Sequence, residues 1–124
     1  GIKIANSEAL YVVNINASNN TIIVGPKDSL IIKKIKLRDL NLLGETRDFD
    51  NPIFIKVRST GKLLKAKVKL NGKKGDVEIL EKETGISPGQ ACVFYSKDIN
   101  GDKVLGGGWI HRTENKNLST QLTG

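Results

Sequence analysis

Short apolar runs alternate with polar residues along the whole chain, broken by Gly, Asn, Pro and Asp, and no stretch shows a long helical period. That is a strand-and-turn pattern. Leu10–Asn16 and Thr21–Gly25 flank Ala17-Ser18-Asn19-Asn20 and predict a hairpin, because asparagine tolerates the left-handed conformation of a tight turn. Gly25-Pro26-Lys27-Asp28 then breaks the chain. Leu30–Leu37, rich in β-branched residues, predicts a strand, and residues 38–51 read as a long polar loop. Ile53–Arg58 and Leu63–Leu70, around Ser59-Thr60-Gly61-Lys62, predict a second hairpin. The turn Asn71–Gly75 leads into a strand Asp76–Leu80, and Ser87-Pro88-Gly89-Gln90 into Ala91–Tyr95. A last strand begins at Lys103–Leu105 and runs through three glycines into Trp109-Ile110-His111. Residues 114–124 read as a frayed tail.

About seven short strands with frequent turns predict an all-β fold: a small closed antiparallel β-barrel, translation-factor-like, preceded by a β-hairpin. The chain divides accordingly into 1–28 for the hairpin, 29–113 for the barrel and 114–124 for the tail.

Composition narrows the class. The 124 residues are 38% hydrophobic and 27% charged, an ordinary globular balance. The longest apolar run, Ala9-Leu10-Tyr11-Val12-Val13, is too short to span a bilayer, so no membrane role is expected. One cysteine excludes an intramolecular disulfide and a multi-cysteine zinc site, and a reducing, cytoplasmic location is the default expectation. Met is absent, which suggests a processed N-terminus or, the reading preferred here, a piece cut from a longer protein with Gly1 as a scar.

Charge is concentrated. The net charge is +7, and residues 26–75 carry fourteen basic against five acidic side chains. Between Lys56 and Lys74 eight Lys/Arg meet no acid. In Leu64-Lys65-Ala66-Lys67-Val68-Lys69-Leu70 the strict alternation puts the lysines on one face of a strand. Ile53, Ile55 and Val57 face one way on the partner strand, and Lys56 and Arg58 the other. The hairpin thus presents a stripe of cations. Two readings stay open: a solvated face whose lysines pair with Asp76 and Glu78 on the next strand, or a surface that contacts a polyanion.

The remaining chemistry is sparse. Gly106-Gly107-Gly108 lacks the Lys-Ser/Thr of a nucleotide loop and opens no helix, so a bulge or tight barrel bend is expected. Cys92, sharing a face with Phe94, reads as a buried small hydrophobe. His111 reads as a surface residue, and Trp109 as core or rim packing. No carboxylate pair suggests acid–base work, so no catalytic residue and no metal ligand is assigned.

The order of segments carries a resemblance. Ser87-Pro88-Gly89-Gln90-Ala91-Cys92-Val93-Phe94-Tyr95, followed by Val104-Leu105-Gly106-Gly107-Gly108-Trp109-Ile110, resembles the C-terminal signature of the bacterial tRNA-specific 2-thiouridylases. Leu10-Tyr11-Val12-Val13, Asn20–Gly25 and Asp39-Leu40-Asn41 resemble it in order and spacing. The resemblance covers about residues 7–113. It implies an N-terminal ATP-pyrophosphatase domain, a small central domain and a C-terminal barrel, of which this chain holds the last hairpin of the central domain and the barrel. It implies an activity for the parent protein: ATP adenylates the C2 oxygen of the wobble uridine and a cysteine persulfide delivers sulfur, giving 2-thiouridine.

The family's nucleotide-binding loop and both working cysteines have no counterpart here. The resemblance therefore implies an inactive fragment without a cofactor of its own, ATP with Mg belonging to the missing domain. It implies tRNA as a partner, with a sulfur-relay protein or cysteine desulfurase reached through the missing domain. It also implies tRNA contacts at Arg58, Ser59 and Gln90, Ser59 standing where an aromatic residue is common. Joined to the basic stripe, the expected tRNA-binding set is Arg58, Ser59, Gln90, Lys56, Lys65 and Lys67. The competing expectation is a stand-alone basic β-barrel adaptor that contacts RNA or protein with no attached enzyme.

Overall fold

The computed structural model describes residues 9–57, 61–115 and 120–123. Among these, nine β-strands and three short 3-10 turns form two compact units, Gly1–Ile31 with Asn115–Gly124, and Ile32–Glu114. The all-β expectation holds, and the second unit is a closed six-stranded antiparallel barrel.

In the first unit β1 (Tyr11–Asn16) and β2 (Thr21–Gly25) form the predicted hairpin, joined by a 3-10 turn over Ala17–Asn19 and by Asn20 at φ 52°. A third strand, β9 (Thr120–Thr123), pairs with β2, so the segment read as a frayed tail adds a strand here.

The barrel runs β3 (Ile32–Leu42), β6 (Lys74–Ile79), β5 (Leu64–Asn71), β4 (Ile53–Lys56), β7 (Ala91–Asp98) and β8 (Gly101–Asn115) in spatial order, closing on β3. The period-2 pattern builds its wall. On β5 Leu64, Ala66 and Val68 are buried while Lys65, Lys67 and Lys69 are exposed. On β6 Gly75, Val77 and Ile79 face in and Lys74, Asp76 and Glu78 face out. Ile35, Ile55, Ile79, Phe94, Leu105 and Ile110 meet at the centre, each 0–1% exposed. That filled interior makes the barrel a packed core rather than a channel.

Two strands depart from the sequence reading. β3 continues through Leu42, where a loop was expected from residue 38. The alternation lapses there because Arg38 and Asp39 both point outward. Asp39 takes φ 53°, and this extra residue returns Leu40 to the core at 7% exposure. The chain that follows turns through Thr46–Phe49 and tucks Phe49 against Phe94, ring centroids 5.3 Å apart and edge-on. β8 is a single strand of 15 residues that passes straight through its three glycines.

Those glycines mark close backbone approach, as expected. A Cβ on Gly106 would stand on the Asn41 carbonyl oxygen, and its φ of 136° is open only to glycine. The register shift opposite it, between Phe94 and Tyr95, is the predicted bulge. At the other tight turn, β5 to β6, Gly72 sits at φ 59° in the first central position of a two-residue loop, the place for glycine in a II′ hairpin.

Candidate nucleic-acid interface

The outer wall of β3, β6, β5, β4 and β7 brings the basic side chains together, and strand register decides what each one meets. Lys67 and Lys34 stand on either side of Glu78, while Lys69 and Lys36 stand on either side of Asp76. Each carboxylate is thus shared by two lysines. Asp76 is engaged by Lys36 at 2.9 Å. Among the described residues neither Lys67 nor Lys69 forms an ion pair, since the pairs found are Lys36–Asp76, Arg38–Asp39 and Arg47–Glu45. The paired reading holds for Lys36 with Asp76, and among the described residues the lysines of β5 keep their charge unpaired. The ladder is half-neutralised from the β3 side and keeps a surplus of cations on the β5 side.

Beyond Lys67 the register partners are rings rather than acids, with the Glu81 carboxylate accepting the Lys65 backbone N–H at the end of the strand. Lys65 lies opposite Phe54 on β4, and Phe54 lies opposite Tyr95 on β7. Lys56, two residues along β4, places its ammonium 5.8 Å from the Tyr95 ring centre. Lys97, two residues along β7, reaches 4.5 Å from the Phe54 ring centre. An ammonium near an aromatic face is held by the ring quadrupole and keeps its full charge. Lys56, Lys65 and Lys67, three of the expected contact residues, therefore share one outer surface.

Gln90 sits elsewhere on the same barrel. It ends the Ser87–Gln90 turn, where Gly89 takes φ 92°, and its backbone is laced to β8: Gly89 N–H donates to the Ile110 carbonyl and Ile110 N–H to the Gln90 carbonyl, both at 2.8 Å. Its side chain is half-buried, and Oε1 accepts the Ser87 N–H at 3.0 Å. With the carbonyl so engaged, the amide NH2 is the group left to meet a partner, which makes Gln90 chiefly a donor. Val93, the register partner of Lys56, is three residues along the strand from Gln90, about 10 Å. Arg58 and Ser59 lie outside the described residues.

Cys92 and Trp109 complete the inventory. Cys92 is wholly buried, and burial pushes its thiol up to about 12, so it presents no thiolate to a substrate. Trp109 is 48% exposed on the outer face opposite Ala91, at the rim rather than in the core. Among the described residues no cluster of three His, Cys, Asp or Glu could hold a metal, and no helix is long and apolar enough to cross a membrane. The ring-held position of Lys56 and the whole contribution of Lys97 escaped the sequence reading. β4 and β7 are far apart along the chain, and only their register brings Phe54 beside Tyr95.

Comparison with known proteins agrees with this architecture. Residues 32–110 match the model of the aminomethyltransferase β-barrel domain. The chain is 46% identical over 127 aligned residues to the tRNA-specific 2-thiouridylase MnmA of Brucella ovis, and to the proteins of the same name from Brucella canis and Brucella melitensis. Each alignment covers 98% of this chain and 32% of the relative, so the chain spans about a third of the length of these proteins. The resemblance carried by the Pro88-Gly89-Gln90 turn and the Leu105–Gly108 strand is borne out, and the chain belongs to the aminomethyltransferase β-barrel domain family.

Proposed function

We propose that this chain is the C-terminal portion of a tRNA-specific 2-thiouridylase, and that its barrel helps hold the tRNA while chemistry proceeds in a part of the enzyme outside this sequence. The observation that carries the reading is the 46% identity running over 98% of the chain, through both units. The barrel's outer wall suits the task, because lysines outnumber the acids they face and ammonium groups favour phosphate. Residues 1–28 then close a central domain. The exposed, paired Ile15 and Ile22 of β1 and β2 suit a sheet that packs against further chain.

In the parent protein ATP with Mg activates the wobble uridine and persulfide sulfur replaces the oxygen, giving 2-thiouridine in a cytoplasmic enzyme supplied by a sulfur-relay protein or cysteine desulfurase. The reading assigns neither role to this chain, in keeping with Cys92, whose thiol is held well above its ordinary value by burial. What this chain contributes is grip. Lys56 and Lys65 hold phosphates from the outer wall, with Lys67 beside them opposite Glu78 at the edge of the acid-bearing ladder, Gln90 donates from the barrel's end, and Arg58 with Ser59 completes the contact.

The test is the gene and its product. The reading frame upstream of Gly1 is expected to encode a Ser-Gly-Gly-x-Asp-Ser nucleotide loop. The full-length protein is expected to form 2-thiouridine in tRNA, and to lose that activity when the barrel is deleted. A reading frame without such a domain would return the chain to the adaptor reading.

A further inference from the structure

The wall offers two kinds of lysine, and they differ in what compensates their charge. On β3, β6 and β5, Lys34, Lys36, Lys67 and Lys69 flank the carboxylates of Asp76 and Glu78. On β4 and β7, Lys56 and Lys97 rest on rings. Phe54 and Tyr95 stand opposite each other, and each lysine crosses diagonally to the ring of the other strand, at 5.8 and 4.5 Å. A ring steers an ammonium as a carboxylate does but carries no formal charge, so it orders the cation without neutralising it. Lys65, in register with Phe54, adds a third exposed cation, its backbone N–H held by the Glu81 carboxylate. The acid in register with Lys97 is Asp102, and it is not among the ion pairs of the described residues.

We propose that Lys56, Lys97 and Lys65, set around the Phe54–Tyr95 ring pair, form the site at which this barrel grips the phosphodiester backbone of RNA, with the acid-bearing ladder of β3, β6 and β5 contributing little. This rests on the tRNA-contact reading above and assigns its main phosphate site to a specific part of the wall. Lys97, Phe54 and Tyr95 enter as binding residues that the sequence did not single out. The order already imposed by the rings lowers the entropy lost when the lysines meet phosphate, which is why this patch of three cations outweighs a ladder of four.

The experiment compares two variants of the full chain with equal change in net charge, Lys56→Gln/Lys97→Gln and Lys67→Gln/Lys69→Gln. Binding to a labelled tRNA transcript is measured between 50 and 200 mM salt, on the order of the range over which phosphate contacts weaken strongly. The proposal expects the first variant to bind at least about ten-fold more weakly, with a salt slope shallower by about 1.5, and the second to change affinity less than about three-fold. Lys56→Arg/Lys97→Arg, which keeps charge and ring contact, is expected to bind like the parent chain. Equal losses in the two glutamine variants, or no loss in the first, overturn this site while leaving the tRNA reading standing. A parent chain that fails to bind tRNA even at 50 mM salt overturns both. Thermal unfolding of each variant confirms that these exposed substitutions leave the fold intact.

Discussion

Phe54 and Tyr95 face each other across β4 and β7, and each ring lies under a lysine from the other strand. The crossing follows from antiparallel geometry. A residue two places along one strand leans diagonally toward the ring opposite its neighbour, within reach of a long side chain. Direct register opposition, rather than this diagonal reach, sets Asp76 and Glu78 of β6 between lysines of β3 and β5. A single alternating pattern thus gives two electrostatically different surfaces, and strand register alone assigns each lysine to one or the other.

Register also explains why Asp76 restrains the wall. It stands between Lys36 and Lys69 and is engaged by Lys36, in a pair 39% and 55% exposed. Exposed pairs contribute little to stability, so Asp76→Asn should cost under about 1 kcal/mol. It should also raise tRNA affinity a few-fold at low salt by freeing Lys36 and removing a negative charge from the wall, an increase that vanishes toward high salt. Denaturant unfolding and a salt series of binding curves check the two halves.

Gln90 joins a structural bond to a binding role, and two substitutions separate them. Gln90→Glu retains an acceptor for the Ser87 N–H but replaces the outward donor with a carboxylate. It should leave stability nearly unchanged and weaken tRNA binding. Gln90→Ala removes both functions and should destabilise the turn by about 1 kcal/mol as well. If Gln90→Glu binds tRNA like the parent chain, the side chain serves the turn alone.

Two of the positive-φ glycines, Gly72 and Gly106, should respond very differently to a methyl group. At Gly72 nothing lies within 4 Å, so Gly72→Ala meets only the backbone penalty of the left-handed region, about 1 kcal/mol. At Gly106 the added carbon would strike the Asn41 carbonyl and the Leu42 backbone at a φ of 136°. Gly106→Ala should therefore cost about 3 kcal/mol or more and loosen the β8–β3 closure of the barrel. Chemical denaturation of both variants measures the contrast.

Burial of Cys92 makes stability depend on alkaline pH. Its folded thiol is raised from 9.0 to about 12 by desolvation, so the unfolded chain loses the proton first. The contribution is complete below pH 9 and falls as pH rises toward 12, by at most about 1.4 kcal/mol per pH unit. Cys92→Ala should remove that component, so the variant's stability falls less steeply between pH 9 and 12 than the parent chain's. The native thiol should stay unreactive toward a disulfide reagent at pH 8 and react once the chain is unfolded.

Sequence alone determined the parts that depend on neighbours along the chain. Alternation in Leu64–Leu70 told which side of β5 is wet, because side chains flip at every residue whatever the strand pairs with. Gly, Pro and Asn located the turns, since few residues accept their dihedral angles. The run from Pro88 to Tyr95, with the glycines of β8, carried the family. Tertiary structure decided what depends on residues far apart. Asp39 restores Leu40 to the core only because β6 and the Lys73 carbonyl are there to receive β3. β8 stays a strand through three glycines because the backbones of β3 and β7 fill the space their side chains would need. Lys97 finds Phe54, and Lys36 finds Asp76, through pairings between strands separated by dozens of residues. Such pairings are set by how the core closes into a cylinder, and no local pattern encodes them.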